Sequence, residues 1–322
     1  MTEAWGSSLV RRLDALPPAL RGGAVAIGNF DGVHRGHQAV LAAAAREAEA
    51  LGAPVVALTF EPHPRRFFAP DVPLFRLTPL RLKARLLRAF GATGVVALDF
   101  DAALAGLTAE AFAEEILAKR LGARHVAVGF DFHFGKGRGG TPERLAEFGS
   151  AFGFSVSLSP PLRDDGEPVS SSAIRAALDA GDVARADRLL GYPWLVEGPV
   201  EHGDTRGRQL GYATANLRLP PETGLRHGIY AVRARVNGSW RDGVASFGHR
   251  PTFGGGAPLL EVHLFDFDGD LYGAPLLVAF FAFLRPETAF DSAAALVAEM
   301  HRDSEAARRA LSTSSASAIP PV

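Results

Sequence analysis

The sequence predicts an α/β domain built on a parallel sheet, followed by a small all-β domain. Three observations carry this reading. From residue 23 to about residue 190, apolar β-prone runs alternate with helix-like runs, the pattern of a sheet covered by helices. The β-prone runs in this half are apolar almost throughout, as strands buried on both faces must be. After Gly191-Tyr192-Pro193 the texture changes. Six short β-prone runs follow, separated by stretches containing Gly, Asn and Pro and without intervening helices, which suits a small barrel or sandwich.

In the first half, strands are expected at 24–30, 55–60, 95–100, 125–130 and 154–158, and helices at 38–51, 79–90, 109–121 and 142–152. Two short helices close it. One opens at Ser170-Ser171-Ser172, where a serine can cap the helix. The other runs from Asp182 to Leu190, with Gly191 as its stop. The later strands are expected at 194–200, 213–219, 229–236, 243–247, 259–267 and 276–284. Arg233 and Arg235 alternate with Val232, Ala234 and Val236, which predicts one wet face. A helix over 292–311 follows. The expected division is 1–190, 191–312, and a disordered Ser-, Ala- and Pro-rich tail at 313–322.

The 322 residues allow about two domains. A hydrophobic content of 47% is ordinary for a chain that buries a core. The formal net charge of −1 predicts no strong pull on nucleic acid or on a membrane surface. The absence of cysteine excludes disulfides, thiolate metal sites and a cysteine nucleophile. The start, Met1-Thr2-Glu3-Ala4-Trp5, lacks the pattern of a signal peptide. The apolar run at 276–284 is too short to span a bilayer. A cytoplasmic protein is expected.

The most informative segment is Gly28-Asn29-Phe30-Asp31-Gly32-Val33-His34-Arg35-Gly36-His37, between an apolar strand and an alanine-rich helix. A strand that turns through glycines into a helix presents backbone N–H groups and a positive helix end to a phosphate. His34 and His37 lie near each other at that helix start and can donate to phosphate oxygens as charge develops. Both the glycine spacing and the missing lysine exclude a Walker loop. Taken alone, His-x-Gly-His also fits a surface loop with two solvated histidines.

Further motifs stand at other expected strand ends. Thr59-Phe60-Glu61-Pro62-His63-Pro64 is stiffened by two prolines, so His63 belongs either to a rigid turn or to the wall of a site. Asp131 and Phe132, in Gly129-Phe130-Asp131-Phe132, follow the fourth strand, where ligands of parallel sheets bind. Ser171, Ser172 and Arg175 open a helix. They fit ordinary capping or a phosphate clasp.

In the second half, Gly203-Asp204-Thr205-Arg206-Gly207-Arg208 fits a hairpin turn or a basic flap over phosphates. Thr214 and Asn216, in Gly211-Tyr212-Ala213-Thr214-Ala215-Asn216, supply hard oxygen ligands suited to Mg²⁺. Glu261, among Leu260, Val262, His263 and Leu264, is either a strand glutamate on a wet face or a general base for a hydroxyl.

His34-Arg35-Gly36-His37 resembles the signature of the nucleotidyltransferase superfamily. From about Gly28 to Arg308 the chain resembles the prokaryotic bifunctional riboflavin kinase/FAD synthetase family. The segments that carry the likeness include GNFDGVHRGH, TFEPHPR, RLTPLRLKARLL, GFDFHFGKGR, SSSAIR, GDTRGRQLGYATANL, RPTFGG and LEVHLFDFDGDLYG. The resemblance implies a Rossmann-like nucleotidyltransferase domain and a six-stranded antiparallel barrel followed by a helix.

The resemblance also implies two reactions. The barrel would phosphorylate riboflavin to FMN with ATP and Mg²⁺, and the first domain would adenylylate FMN to FAD with release of pyrophosphate. In the first domain, Gly28, Asn29, Phe30, Asp31, Gly32 and Gly36 would surround ATP, with His34 and His37 catalytic. Asn29 and His63 would lie near the flavin phosphate, and Asp131 and Phe132 near the adenosine. Ser171, Ser172 and Arg175 would clasp phosphates. In the barrel, Gly203, Arg206, Gly207 and Arg208 would close over the nucleotide, Thr214 and Asn216 would bind Mg²⁺, and Glu261 would be the base. The partners implied are ATP, riboflavin and FMN. FAD-dependent apoenzymes are left open as recipients of the product.

Two departures from the family pattern fall in the second half. Ala213 stands where Pro-Thr-Ala-Asn is usual, which frees a backbone torsion at a cost of roughly 0.4–1 kcal/mol. Ala245-Ser246-Phe247-Gly248 replaces the more usual Ala-Asn-Ile-Gly. Three alternatives follow: an adenylyltransferase with a kinase-silent barrel, a flavin-binding regulator without turnover, or an adenylyltransferase of another phosphate. The barrel motifs argue against the last.

Overall fold

The computed structural model describes residues 9–202, 211–248 and 258–322. The chain divides into two compact units. The first comprises Met1–Leu74, Thr78–Ser170 and Pro321–Val322, and the second Phe75–Leu77 and Ser171–Pro320.

The first unit is a six-stranded sheet. Its strands are β1 (Leu9–Val10), β2 (Ala24–Ile27), β3 (Val55–Glu61), β4 (Gly94–Asp99), β5 (His125–Gly129) and β6 (Ser155–Ser159). The spatial order is β1-β4-β3-β2-β5-β6, with every pair parallel. Strands β2, β3 and β4 are almost wholly buried, as their apolar sequences require. Val25, Ile27, Val56, Leu58, Val96, Val126 and Val128 form one core with Phe112, Ile116 and Leu117 of the covering helices. Each such side chain contributes about 1.5–3 kcal/mol on burial.

Helix α1 (Arg35–Leu51) buries Val40, Leu41, Ala44 and Ala48 at helical spacing. It begins three residues before the expected start, because His34 caps it. Several short elements were not legible in the sequence. They are β1, α2 (Pro64–Phe68), α4 (Ala102–Gly106), and the hairpin of β7 (Arg163–Asp164) and β8 (Glu167–Pro168). Helix α3 spans Leu80–Ala89. The run expected as a helix over 109–121 begins as α5 (Ala109–Ala111) and continues with wider i→i+5 turns over Phe112–Arg120. Helix α6 (Pro142–Phe152) has the expected limits.

The second unit opens with α7 (Ser171–Asp179) and α8 (Val183–Leu190). Asp182 caps α8, and Gly191 ends it at φ +80°, donating to Asp187 O. The left-handed conformation explains glycine there. Strands β9 (Leu195–Pro199), β10 (Ala215–Arg218), β11 (Gly228–Val236), β12 (Ser239–Gly248), β13 (Leu259–Leu264) and β14 (Pro275–Arg285) follow. Their order is β10-β13-β12-β11-β14-β9, all antiparallel. A bridge between Glu201 and Asn216 brings the ends together, so the barrel is nearly closed.

Helix α9 (Ala293–Ser312) covers part of the barrel's outer face, packing Ala307 and Leu311 on Ala231 and Val244. This corrects the expected wet face of β11. Arg233 is buried beneath the helix. It pairs with Asp242 at 2.7 Å and donates to Leu311 O and Ser314 O, which satisfies carbonyls at the helix end. Residues 313–322, expected to be disordered, contain a single turn (Ala316–Ala318) with Ile319 and Val322 buried.

Phe75–Leu77 belongs to the second unit. The Trp194 indole donates to Leu77 O at 3.1 Å, Arg175 Nε donates to Phe75 O at 2.6 Å, and the Phe75 ring meets Trp194 edge-on. Nearby, the Trp194 N–H donates to the half-buried Asp187 carboxyl at 3.1 Å. Burial pushes that carboxyl up to about 8. The folded state therefore holds a proton that the unfolded chain releases near pH 4, so stability falls as pH rises from about 4 to about 8. Asp187→Asn keeps an acceptor for Trp194 and removes the charge. It is expected to unfold at higher urea concentration than the parent protein above about pH 8, with the two converging at about pH 4. Parallel midpoints at all pH values, followed by tryptophan fluorescence, would contradict this.

Candidate active sites

The sheet order places the first site. Strand β2 pairs with β3 on one side and β5 on the other, so the chain reverses direction across the sheet between β2 and β5. Ligands of open parallel sheets bind beyond the carboxyl ends at such a point. The loop at 28–34 leaves β2 there, and Phe130, Asp131 and Phe132 leave β5.

The loop is tightly wound. Phe30, Gly32 and Val33 have φ of +49°, +86° and +38°. Left-handed non-glycine residues cost about 1–3 kcal/mol each and persist only where the surroundings hold them. Here Phe30 and Val33 are buried. The Asp31 carboxylate accepts from Thr78 N at 3.1 Å, and the Gly32 N–H donates to Thr78 Oγ1 at 3.0 Å. The Asp31 side chain thus secures the loop, while the Asn29 side chain is exposed.

His34 Nδ1 accepts from the His37 backbone N–H at 3.4 Å. In the neutral ring this leaves the proton on Nε2. The two imidazoles stack at 3.6 Å. A Cβ at Gly36 would come within 3.2 Å of the His34 ring, which accounts for glycine between them. His37 Nδ1 is buried with no hydrogen-bond partner among the described residues. Burial, with the neighbouring His34 and the Lys83 charge, holds the His37 imidazole well below the ordinary histidine range. It is neutral at pH 7.

The other expected residues of this half take several positions. His63 caps α2 by accepting from Arg65 N at 3.1 Å. Asp131 is exposed. Phe132 stacks on Phe134 at 5.3 Å and packs against the core. Ser171, Ser172 and Arg175 lie on α7 in the second unit. Two aromatic groups were missed. Phe68 is 69% exposed and packs with Phe67 against Phe100. Phe130 is 52% exposed. These side chains follow β3, β4 and β5, at the carboxyl edge of the sheet. The sequence signal was available in Phe67-Phe68, placed directly after a proline-stiffened turn.

In the barrel, Asn216 on β10 and Ser246 on β12 are the cross-strand neighbours of Glu261 on β13. Directly opposite residues share a face, so these three side chains form a row. Leu217, Leu260 and Phe247 belong to the opposite, apolar face. Glu261 is half-buried on the outer face of the barrel. The departure at Ser246 therefore adjoins Glu261. Asn216 is buried, and its Oδ1 has no partner among the described residues.

Just before β10, the Ala213 carbonyl accepts from His263 Nδ1 at 2.9 Å, and the Tyr212 hydroxyl meets His301 Nδ1 of α9 at 3.0 Å. The half-buried Thr214 follows this braced pair. Tyr212, His263, Phe265 and His301 line a cleft of about 560 Å³. Gly203, Arg206, Gly207 and Arg208 lie outside the described residues, as does the Arg250-Pro251-Thr252-Phe253 segment.

Comparisons with known proteins define the class, an enzyme that joins an adenylyltransferase sheet to a kinase barrel. The FAD synthetase family model matches residues 16–173, and the riboflavin kinase model matches 190–311. A bifunctional riboflavin kinase/FMN adenylyltransferase of Pseudomonas fluorescens is 44% identical over 93% of this chain and 96% of that protein. Its Escherichia coli K12 counterpart is 40% identical over 93% and 96%. A solved Streptococcus pneumoniae structure described as a macrolide-efflux protein superposes with a TM-score of 0.83 at 33% identity, covering 93% of this chain and 98% of that one. Among the described residues, no helix is long and apolar enough to cross a membrane. The chain belongs to the bifunctional riboflavin kinase/FMN adenylyltransferase family.

Proposed function

We propose that the two activities reside in separate sites, adenylyl transfer within 1–190 and riboflavin phosphorylation within 191–312. The observation that carries the assignment is the pair of unlike constellations, a stacked histidine pair at a phosphate-type loop and a Thr-Asn-Glu set on the barrel.

In the first site, the loop around Gly28–Asp31 and the Gly36 N–H, with the imidazoles of His34 and His37, hold the ATP phosphates, while the Gly28 and Gly32 N–H groups donate to Leu58 O and Thr78 Oγ1 and brace the loop. The FMN phosphate oxygen attacks the α-phosphorus. The bond to the bridging oxygen breaks, and pyrophosphate leaves. No side-chain nucleophile is required, so catalysis rests on positioning and on charge stabilisation. Asn29 and His63 serve the flavin phosphate, and Asp131 serves the adenosine. Ser171, Ser172 and Arg175 clasp phosphate. The exposed Phe67 and Phe68 offer the isoalloxazine an aromatic platform.

In the barrel, the donor set fits Mg²⁺. Asn216 Oδ1 is a buried acceptor lacking a hydrogen-bond partner among the described residues, and the Thr214 hydroxyl adds a second hard oxygen. When bound, Mg²⁺ neutralises charge on the transferring phosphoryl group. Glu261 accepts the proton of the ribityl hydroxyl as its oxygen attacks the γ-phosphorus and ADP leaves. Gly203, Arg206, Gly207 and Arg208, outside the described residues, are assigned to nucleotide binding on the family resemblance. A cytoplasmic enzyme acting on small molecules, without nucleic acid or membrane partners, accords with the balanced charge.

Chromatography of products from ATP, Mg²⁺ and either flavin tests this division. Thr214→Ala is expected to abolish FMN formation from riboflavin and to spare FAD formation from FMN. Retained phosphorylation would show that the barrel ligands are misassigned.

A further inference from the structure

Lys83 is a charged side chain with no solvent-exposed surface. It lies on α3, in a run that reads from sequence as an ordinary amphipathic helix. Its Nζ donates to the Asn29 carbonyl at 2.7 Å, and the Thr59 hydroxyl of β3 donates to the same oxygen at 3.1 Å. Two donors on one carbonyl fix the plane of that peptide. In a trans peptide the C=O and the following N–H point in opposite directions. Drawing the Asn29 oxygen toward α3 and β3 therefore turns the Phe30 N–H away from them.

The groups that act electrostatically on His37 are His34, at the same helix start, and Lys83 on α3. Asp31, the buried carboxylate of the loop, is hydrogen-bonded to Thr78. Lys83 thus touches the first site twice, through the Asn29 peptide and through its charge.

We propose that Lys83 is a positioning residue for adenylyl transfer, orienting the Asn29–Phe30 peptide of the phosphate loop through its hydrogen bond to the Asn29 carbonyl. This rests on the reading that residues 28–37 hold the ATP phosphates. Methionine matches the lysine stem but cannot donate. Arginine keeps the charge but not the shape.

The test compares full-length Lys83→Met and Lys83→Arg with the parent. FAD formation from FMN, riboflavin phosphorylation and the ¹³C-histidine NMR titration of His37 are measured on each. Lys83→Met is expected to lower kcat for FAD formation by about tenfold or more, to leave riboflavin phosphorylation unchanged, and to move the His37 titration to higher pH. Lys83→Arg is expected to restore the His37 titration but not the rate.

Unchanged FAD formation in Lys83→Met overturns the proposal. So does a slowed reaction with an unmoved His37 titration, because Lys83 is then only a packing element. Should Lys83→Met not fold, Thr59→Val removes the other donor to the same carbonyl. FAD formation is then expected to fall severalfold, and an unchanged rate again overturns the proposal. His37→Gln is assayed alongside. If it too leaves FAD formation intact, the reading of the loop as the ATP site has failed, rather than the role of Lys83.

Discussion

Replacing His37 by alanine is expected to slow FAD formation from FMN by about 10²–10³-fold, the usual cost of deleting one preorganised donor to a developing charge. The ring is well prepared for that role. It is stacked on His34 at 3.6 Å and held neutral by burial, so it can orient a proton toward a phosphate oxygen without prior rearrangement. The His37 backbone N–H that caps α1 through His34 survives the substitution, so the helix start should persist. Riboflavin phosphorylation in the same preparation is expected to be unaffected. Loss of both activities in a well-folded variant would refute two separate sites.

Glu261→Gln is expected to lower riboflavin phosphorylation by about 10²–10⁴-fold, the range for a positioned general base, and to leave FAD formation from FMN unchanged. Glutamine preserves the shape of the side chain and its place between Asn216 and Ser246, but it cannot accept the proton. The expected signature is a loss in kcat with little change in the KM for riboflavin. An equal loss on restoring asparagine at Ser246 would indicate that the row is sensitive to packing rather than to proton transfer.

Much of the fold was legible in the sequence alone. Alternation fixed the parallel sheet because doubly buried strands have little freedom of composition. The Gly-, Asn- and Pro-punctuated runs marked all the barrel strands described here. The limits came where a residue's environment depends on a distant element. Arg233 reads as a wet-face residue because nothing local announces that α9 covers it. Lys83 reads as an ordinary helix lysine because the Asn29 carbonyl lies far back in the chain. Glu261 was ambiguous for a related reason. Period-two alternation states which face it occupies, but not that Asn216 stands beside it.

The lodging of Phe75–Leu77 in the second unit bears on modularity. Along the sequence the two activities read as beads on a string, joined near residue 170 and separable by one cut. They are not separable in that way, because a kinase fragment beginning at Ser171 would lack part of its own fold. Its Trp194 indole N–H would lose the Leu77 acceptor and Arg175 Nε the Phe75 carbonyl. An unsatisfied buried donor costs about 1–3 kcal/mol, a large share of a small domain's margin. The linkage of the two activities is thus written into the packing: the barrel's unit borrows three residues from the middle of its neighbour's sequence, and a separated kinase would need them supplied.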